Sequence, residues 1–185
     1  MSNDRTIPHF PTLGAAALRF APLAPLSLAV ARLAASLGRR HPKLFSRLGE
    51  QSGKSFLIDP IDLPFVFLLT PQSGASSLQA FRRDKAGAWD ARIAGRLAAL
   101  LGMVHGFYDG DALFFSRDLV IEGDTEAVLA LRNAIDNEEI DLTSEAAAML
   151  GPLESMASNP ARRVAAMVGG WSGVALTRIE RGRPA

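Results

Sequence analysis

Leu113-Phe114-Phe115-Ser116-Arg117-Asp118-Leu119-Val120-Ile121-Glu122-Gly123-Asp124-Thr125-Glu126, running directly into Ala127-Val128-Leu129-Ala130-Leu131, decides the reading of this chain. It divides into a short aromatic segment, a strand over Leu119 to Glu122, a tight acidic turn, and a helix with Val128, Leu131 and Ile135 on its inward face. Asp124 and Glu126 fall in the first turn of that helix, where carboxylates satisfy unpaired amides and meet the positive end of the dipole. Capping therefore accounts for them before acid–base catalysis does.

Working outward, the preceding segment predicts another helix. Leu97, Leu100, Leu101 and Val104 follow i, i+3, i+4, i+7 spacing, with Gly106 placed as a left-handed stop. Trp89, Ala91 and Ile93 alternate with Asp90 and Arg92, the pattern of a half-exposed strand. Ser55 to Ile58, Leu63 to Thr70 and Ser76 to Arg83 read as three more strands, with Arg82-Arg83-Asp84-Lys85 as a solvated turn. In the second of these, Phe65, Phe67 and Leu69 point to one face and Val66 and Leu68 to the other. Both faces are apolar, so this strand must be covered on both sides. Leu26, Val30, Leu33 and Leu37 give a helix that Gly38 and His41-Pro42 close, and Leu44, Phe45 and Leu48 continue a second helical piece.

The expected organisation is a flexible proline-containing leader over 1–22, a folded domain over 23–138 and a helical extension over 139–185. That extension has a short helix from Ser144 to Leu150 and another opened by Asn159-Pro160, with Val164, Met167, Val168 and Trp171 on one face. A chain of 185 residues can bury about 70% of its unfolded surface, enough for one sizeable core. The net charge of +1 offers no global field for nucleic acid. The uncharged run Phe20 to Ala31 holds Pro22 and Pro25 and is shorter than the ~20 apolar residues that cross a bilayer. The mixed Met1-Ser2-Asn3-Asp4-Arg5 start argues against a signal peptide.

Catalytic chemistry finds little support. With no cysteine there is no thiolate nucleophile and no cysteine-ligated metal. Gly49-Glu50-Gln51-Ser52-Gly53-Lys54-Ser55 is one residue short of a phosphate loop and leads into a strand, so it reads as a turn. His9, His41 and His105 share no ligand spacing, and Asp109 and Asp111 around Gly110 are too few carboxylates for a calcium loop, with no Glu at the later position, so they read as a turn. Asp59 with Asp62, or Glu122 with Asp124, could divide acid and base work only if their environments separated their pKa values. No nucleophile elbow is present. What remains is bulk apolarity, with ten phenylalanines against one tyrosine. Phenylalanine suits either a dry core or a cavity for a hydrocarbon chain, and composition alone favours the core.

The block Leu113 to Leu131 resembles a signature of sterol-carrier-protein-type lipid-binding domains, and the resemblance extends more loosely over Leu26 to Ile135. It implies an α+β fold, a twisted sheet of about five strands packed with helices around an apolar cavity. The likeness of the block to the ubiquinone-biosynthesis accessory factors among these domains further implies a non-catalytic accessory factor of bacterial, oxygen-independent ubiquinone biosynthesis, holding a polyprenylated quinone precursor or a phospholipid for UbiU/UbiV-type hydroxylase proteins. No cofactor, metal or nucleic acid is expected. The expected location is cytoplasmic, with peripheral contact at the inner membrane left open, because Trp171 and nearby arginines suit either a membrane surface or docking on the domain. Phe65, Phe67, Leu69, Ile93, Leu97, Leu101, Phe114, Phe115 and Leu119 are the expected cavity-lining residues. A docking module with a filled core is the competing expectation, and an enzyme using Asp109 or Asp124 ranks below both.

Overall fold

In the computed structural model, which describes residues 7, 9–72, 76–105 and 110–138, five strands form one sheet in the order β3-β2-β1-β4-β5. Three helices lead in: α1 (Thr12–Leu18), α2 (Leu23–Arg40) and α3 (Pro42–Leu48). Then come β1 (Phe56–Pro60), β2 (Phe65–Thr70), β3 (Ser77–Arg82), β4 (Ala91–Gly95), α4 (Leu97–Val104), α5 (Gly110–Phe115), β5 (Leu119–Gly123) and α6 (Thr125–Glu138). The central pair β1 and β4 is parallel, and the remaining neighbours are antiparallel.

Register assigns the faces. Ile58 pairs with Phe67 on one side and Ile93 on the other, and Ile93 pairs with Ile121. Because paired residues point the same way and alternate along each strand, Phe56, Ile58, Phe65, Phe67, Leu69, Ile93, Leu119 and Ile121 share one face. Against it pack Leu44, Phe45 and Leu48 of α3, Ala98, Ala99 and Leu100 of α4, Leu113 of α5, and Ala127, Val128, Leu131 and Ala134 of α6. The reverse face carries Leu57, Asp59, Val66 and Ala94, all buried. Along β2, Phe65 and Val66 are buried on opposite faces and the last four residues are half-buried.

Glycines allow two close approaches. A Cβ on Gly95 would lie 2.6 Å from Leu119 Cδ2 and 2.7 Å from the Asp118 carbonyl, so β5 can begin tight against β4 only because no side chain stands there. Gly123, at φ +80°, turns β5 into α6 at a point where a Cβ would run into the Asp90 carbonyl.

Several sequence expectations are corrected. α2 runs through Gly38 to Arg40, and the break comes at His41-Pro42, where proline is tolerated only at the start of the next helix. The region expected as a flexible leader contains α1, and Ile7 is buried in the core. It is held because Phe10 N–H donates to Asp62 Oδ2 and Arg96 Nη1 donates to the Ile7 carbonyl. Arg82 and Arg83 do not form a simple solvated turn. The Arg82 guanidinium donates to the Leu18 and Ala21 carbonyls, and Arg83 reaches Asp59. Long arginine stems allow this, covering apolar surface while the head group finds a partner. Gly110-Asp111 opens α5 instead of forming a turn. Gly106, Asp109, the helices expected in the extension and Trp171 lie outside the described residues.

Candidate functional site: an apolar cavity between sheet and helices

A cavity of about 280 Å³ lies between the helix-covered face of the sheet and helices α4, α5 and α6. Its floor is the in-register row Ile58, Ile93 and Ile121, flanked by Leu69 and Leu119. Leu100, Met103 and Val104 of α4, Phe114 of α5, and Val128, Leu131 and Ile135 of α6 complete the walls. Asp111, Thr125 and Arg132 are the polar members of the lining. Phe114 and Leu129 belong to the lining while remaining 51% and 55% exposed, which marks the mouth between α5 and α6.

The structure places four of the nine expected lining residues on the cavity: Leu69, Ile93, Phe114 and Leu119. Phe65 and Phe67 are on the same sheet face but off the cavity, in edge-to-face contact with each other at 5.5 Å. Leu97 and Leu101 of α4 are only half-buried, and the helix instead turns Leu100, Met103 and Val104 to the void. Phe115 is 82% exposed. Neighbouring helical residues diverge by about 100°, so α5 buries Leu113, leaves Phe114 at the mouth and turns Phe115 outward. Ile58, Ile121 and Arg132 were absent from the expected set. The alternation of β1 and β5 carried the signal for the isoleucines, and nothing in the local sequence carried it for Arg132.

Local chemistry fixes this geometry. Helix α5 ends in a Schellman motif, with Asp118 N–H donating to the Leu113 carbonyl, Arg117 N–H donating to that of Phe114, and Arg117 left-handed at φ 62°. The chain thereby reverses into β5. Asp124 caps α6, accepting from Ala127 N–H at 3.0 Å, and pairs with Lys54 Nζ at 3.2 Å. The Ala127 amide, then Lys54, hold the Asp124 carboxyl below its usual range. The loop expected to be a turn thus supplies a cation to a helix cap and follows a 3₁₀ turn over Gly49–Gly53. Asp90 is likewise lowered, chiefly by the Ser55 amide and then its hydroxyl.

The remaining acidic candidates are held in structural roles. Asp59, 2% exposed, accepts from Arg92 Nη2 at 2.6 Å and from Arg83, and Arg92 continues to Glu122 at 2.8 Å. Asp62 accepts from Leu97 N–H at 2.9 Å and so holds the start of α4. Among the described residues no group of three or more histidines or carboxylates is placed to hold a metal ion. None of their helices is long and apolar enough to cross a membrane.

Residues 35–136 match the SCP-2 sterol transfer family. The chain belongs to that family. The matched segment lies within the 23–138 region, and the α+β expectation agrees with the sheet and helices described above. Among solved structures, the chain is similar to a protein described as UbiJ-SCP2 ubiquinone synthesis protein, at 19% identity and a TM-score of 0.52, over 64% of this chain and 96% of that one. It is also similar to apo sterol carrier protein 2 from Yarrowia lipolytica, at 12% identity and a TM-score of 0.43, over 58% of this chain and 86% of that one. No curated protein matches the sequence at a significant level.

Proposed function

We propose that this SCP-2 family protein is a non-catalytic lipid carrier serving ubiquinone biosynthesis, holding a polyprenylated quinone precursor with its head group near the mouth. The observation that carries the reading is the cavity. Its walls are almost entirely aliphatic or aromatic, and it opens between two half-exposed apolar residues, Phe114 and Leu129. Such a space selects for hydrocarbon, each buried methylene contributing about 0.8 kcal/mol. The likeness of the Leu113 to Leu131 block to UbiT-type accessory factors supports placing the protein in the oxygen-independent branch, with UbiU/UbiV-type hydroxylases as receivers of the bound precursor. The fold it shares with a protein described as a ubiquinone synthesis protein supports the ubiquinone part of the reading.

The test is native mass spectrometry of the purified protein, followed by organic extraction and identification of the lipid. A bound polyprenylated quinone precursor is the expected result. A protein that is recovered empty and also fails to take up added polyprenyl lipids would refute the reading.

A further inference from the structure

The cavity's polar lining is gathered around one ion pair. Arg132, on α6, donates from Nη1 to Asp111 Oδ1 of α5 at 2.5 Å, and its Nε lies 3.6 Å from Asp136. Both partners of the α5–α6 pair belong to the lining, beside Thr125 and close to the half-exposed Phe114 and Leu129. The arginine is 26% exposed and the aspartate 69% exposed, so their surroundings differ. The guanidinium is held at the boundary between cavity and solvent. The carboxylate stands largely in water, where it can be rehydrated at little cost when it lets go.

We propose that Arg132 is the head-group residue of the cavity, and that it selects amphipathic lipids bearing an anionic oxygen, a carboxylate or a phosphate, by exchanging Asp111 for the ligand. The proposal rests on the lipid-cavity reading above. A hydrocarbon chain filling the space over Ile58, Ile93 and Ile121 places its polar end at the mouth, because the mouth holds the lining's hydrogen-bonding side chains. Guanidinium presents several N–H donors in a fork that fits a carboxylate or phosphate, so the incoming oxyanion replaces Asp111 with like geometry. The exchange also has a mechanical consequence. The Asp111 pair ties α5 to α6 across the opening, so a ligand that takes Arg132 removes one tie between these helices as it enters.

The experiment compares dodecanoic acid with dodecanol, which share a chain and differ in charge, by calorimetric titration of the full chain. Wild type is expected to bind the acid more tightly by up to about tenfold, the worth of one charge-assisted hydrogen bond less that of the Asp111 bond it replaces. Arg132→Gln should weaken the acid far more than dodecanol and so erase that preference, Arg132→Lys should restore part of it, and Asp111→Asn should tighten the acid by removing the competitor. Loss of acid and alcohol binding together in Arg132→Gln, with Arg132→Lys equally impaired, would overturn the proposal, as would an acid preference that survives in Arg132→Gln. Inorganic phosphate alone is expected not to displace the acid, and displacement by it would overturn the assignment to a lipid head group. If wild type binds neither chain, the lipid-cavity reading itself fails; binding of both chains without an Arg132-dependent preference defeats only the head-group assignment.

Discussion

Ile93→Ala tests the cavity at its floor. Ile93 is 5% exposed and sits at the centre of the row that Ile58 and Ile121 complete. An apolar cavity of about 150 Å³ takes a six-carbon ring, so the 280 Å³ here accommodates roughly eleven chain carbons. Ile93→Ala deletes three carbons from the floor and should cost the empty protein about 2–4 kcal/mol, read by urea denaturation. The same deletion makes room for about three more carbons of ligand. At about 0.8 kcal/mol each they contribute about 2.4 kcal/mol, or roughly 60-fold in affinity. A saturated fatty acid series titrated calorimetrically should therefore tighten with length and level off near eleven carbons in wild type and near fourteen in the variant. A plateau at the same length in both proteins would refute the assignment of Ile93 to the ligand floor. Affinity independent of length in wild type would refute burial of a hydrocarbon chain altogether.

Two further outcomes follow from the electrostatics around the sheet. Arg92→Met leaves the buried Asp59 with Arg83 alone, and should destabilise by about 3 kcal/mol, the lower end for breaking a buried ion pair because one guanidinium stays; a change within error of zero in urea melts would show that Arg83 suffices. Asp90 has a folded-state pKa below its unfolded value, so its stabilising contribution is present above the unfolded value of about 3.9 and is lost as pH falls through the lower folded value. Asp90→Asn should thus be less stable than wild type at neutral pH, with the gap closing on acidification below about pH 4; an equal gap at neutral pH and at about pH 3 would contradict this.

The legible parts were those written in short-range patterns. Alternation and apolar density identified the five strands, and helical spacing identified α4 and α6. The capping role of Asp124 was readable because an acid beside a predicted helix start has a local physical reason to be there, and the Ala127 amide fulfils it. Local reading did less well at the site. Leu97 and Leu101 satisfy the same periodicity as Leu100 and Val104, so periodicity identifies an inward stripe without saying which edge meets a void. Phe115 fell with Phe114 into one aromatic pair until α5 separated them by a helical step.

By itself the sequence determined the order of the five strands and of α2, α3, α4 and α6, the apolar strand faces, and the cap at Asp124, because each depends on neighbours a few residues away. The tertiary structure alone decided three things. Sheet order brought Ile58, Ile93 and Ile121 into one row although they are far apart in the chain. The packing of α4, α5 and α6 over that row left a space unfilled, and a void is a property of how surfaces meet, absent from either surface alone. The same packing joined Asp111 to Arg132 across 21 positions, since a contact between two helices depends on their relative placement, which no spacing along the chain encodes.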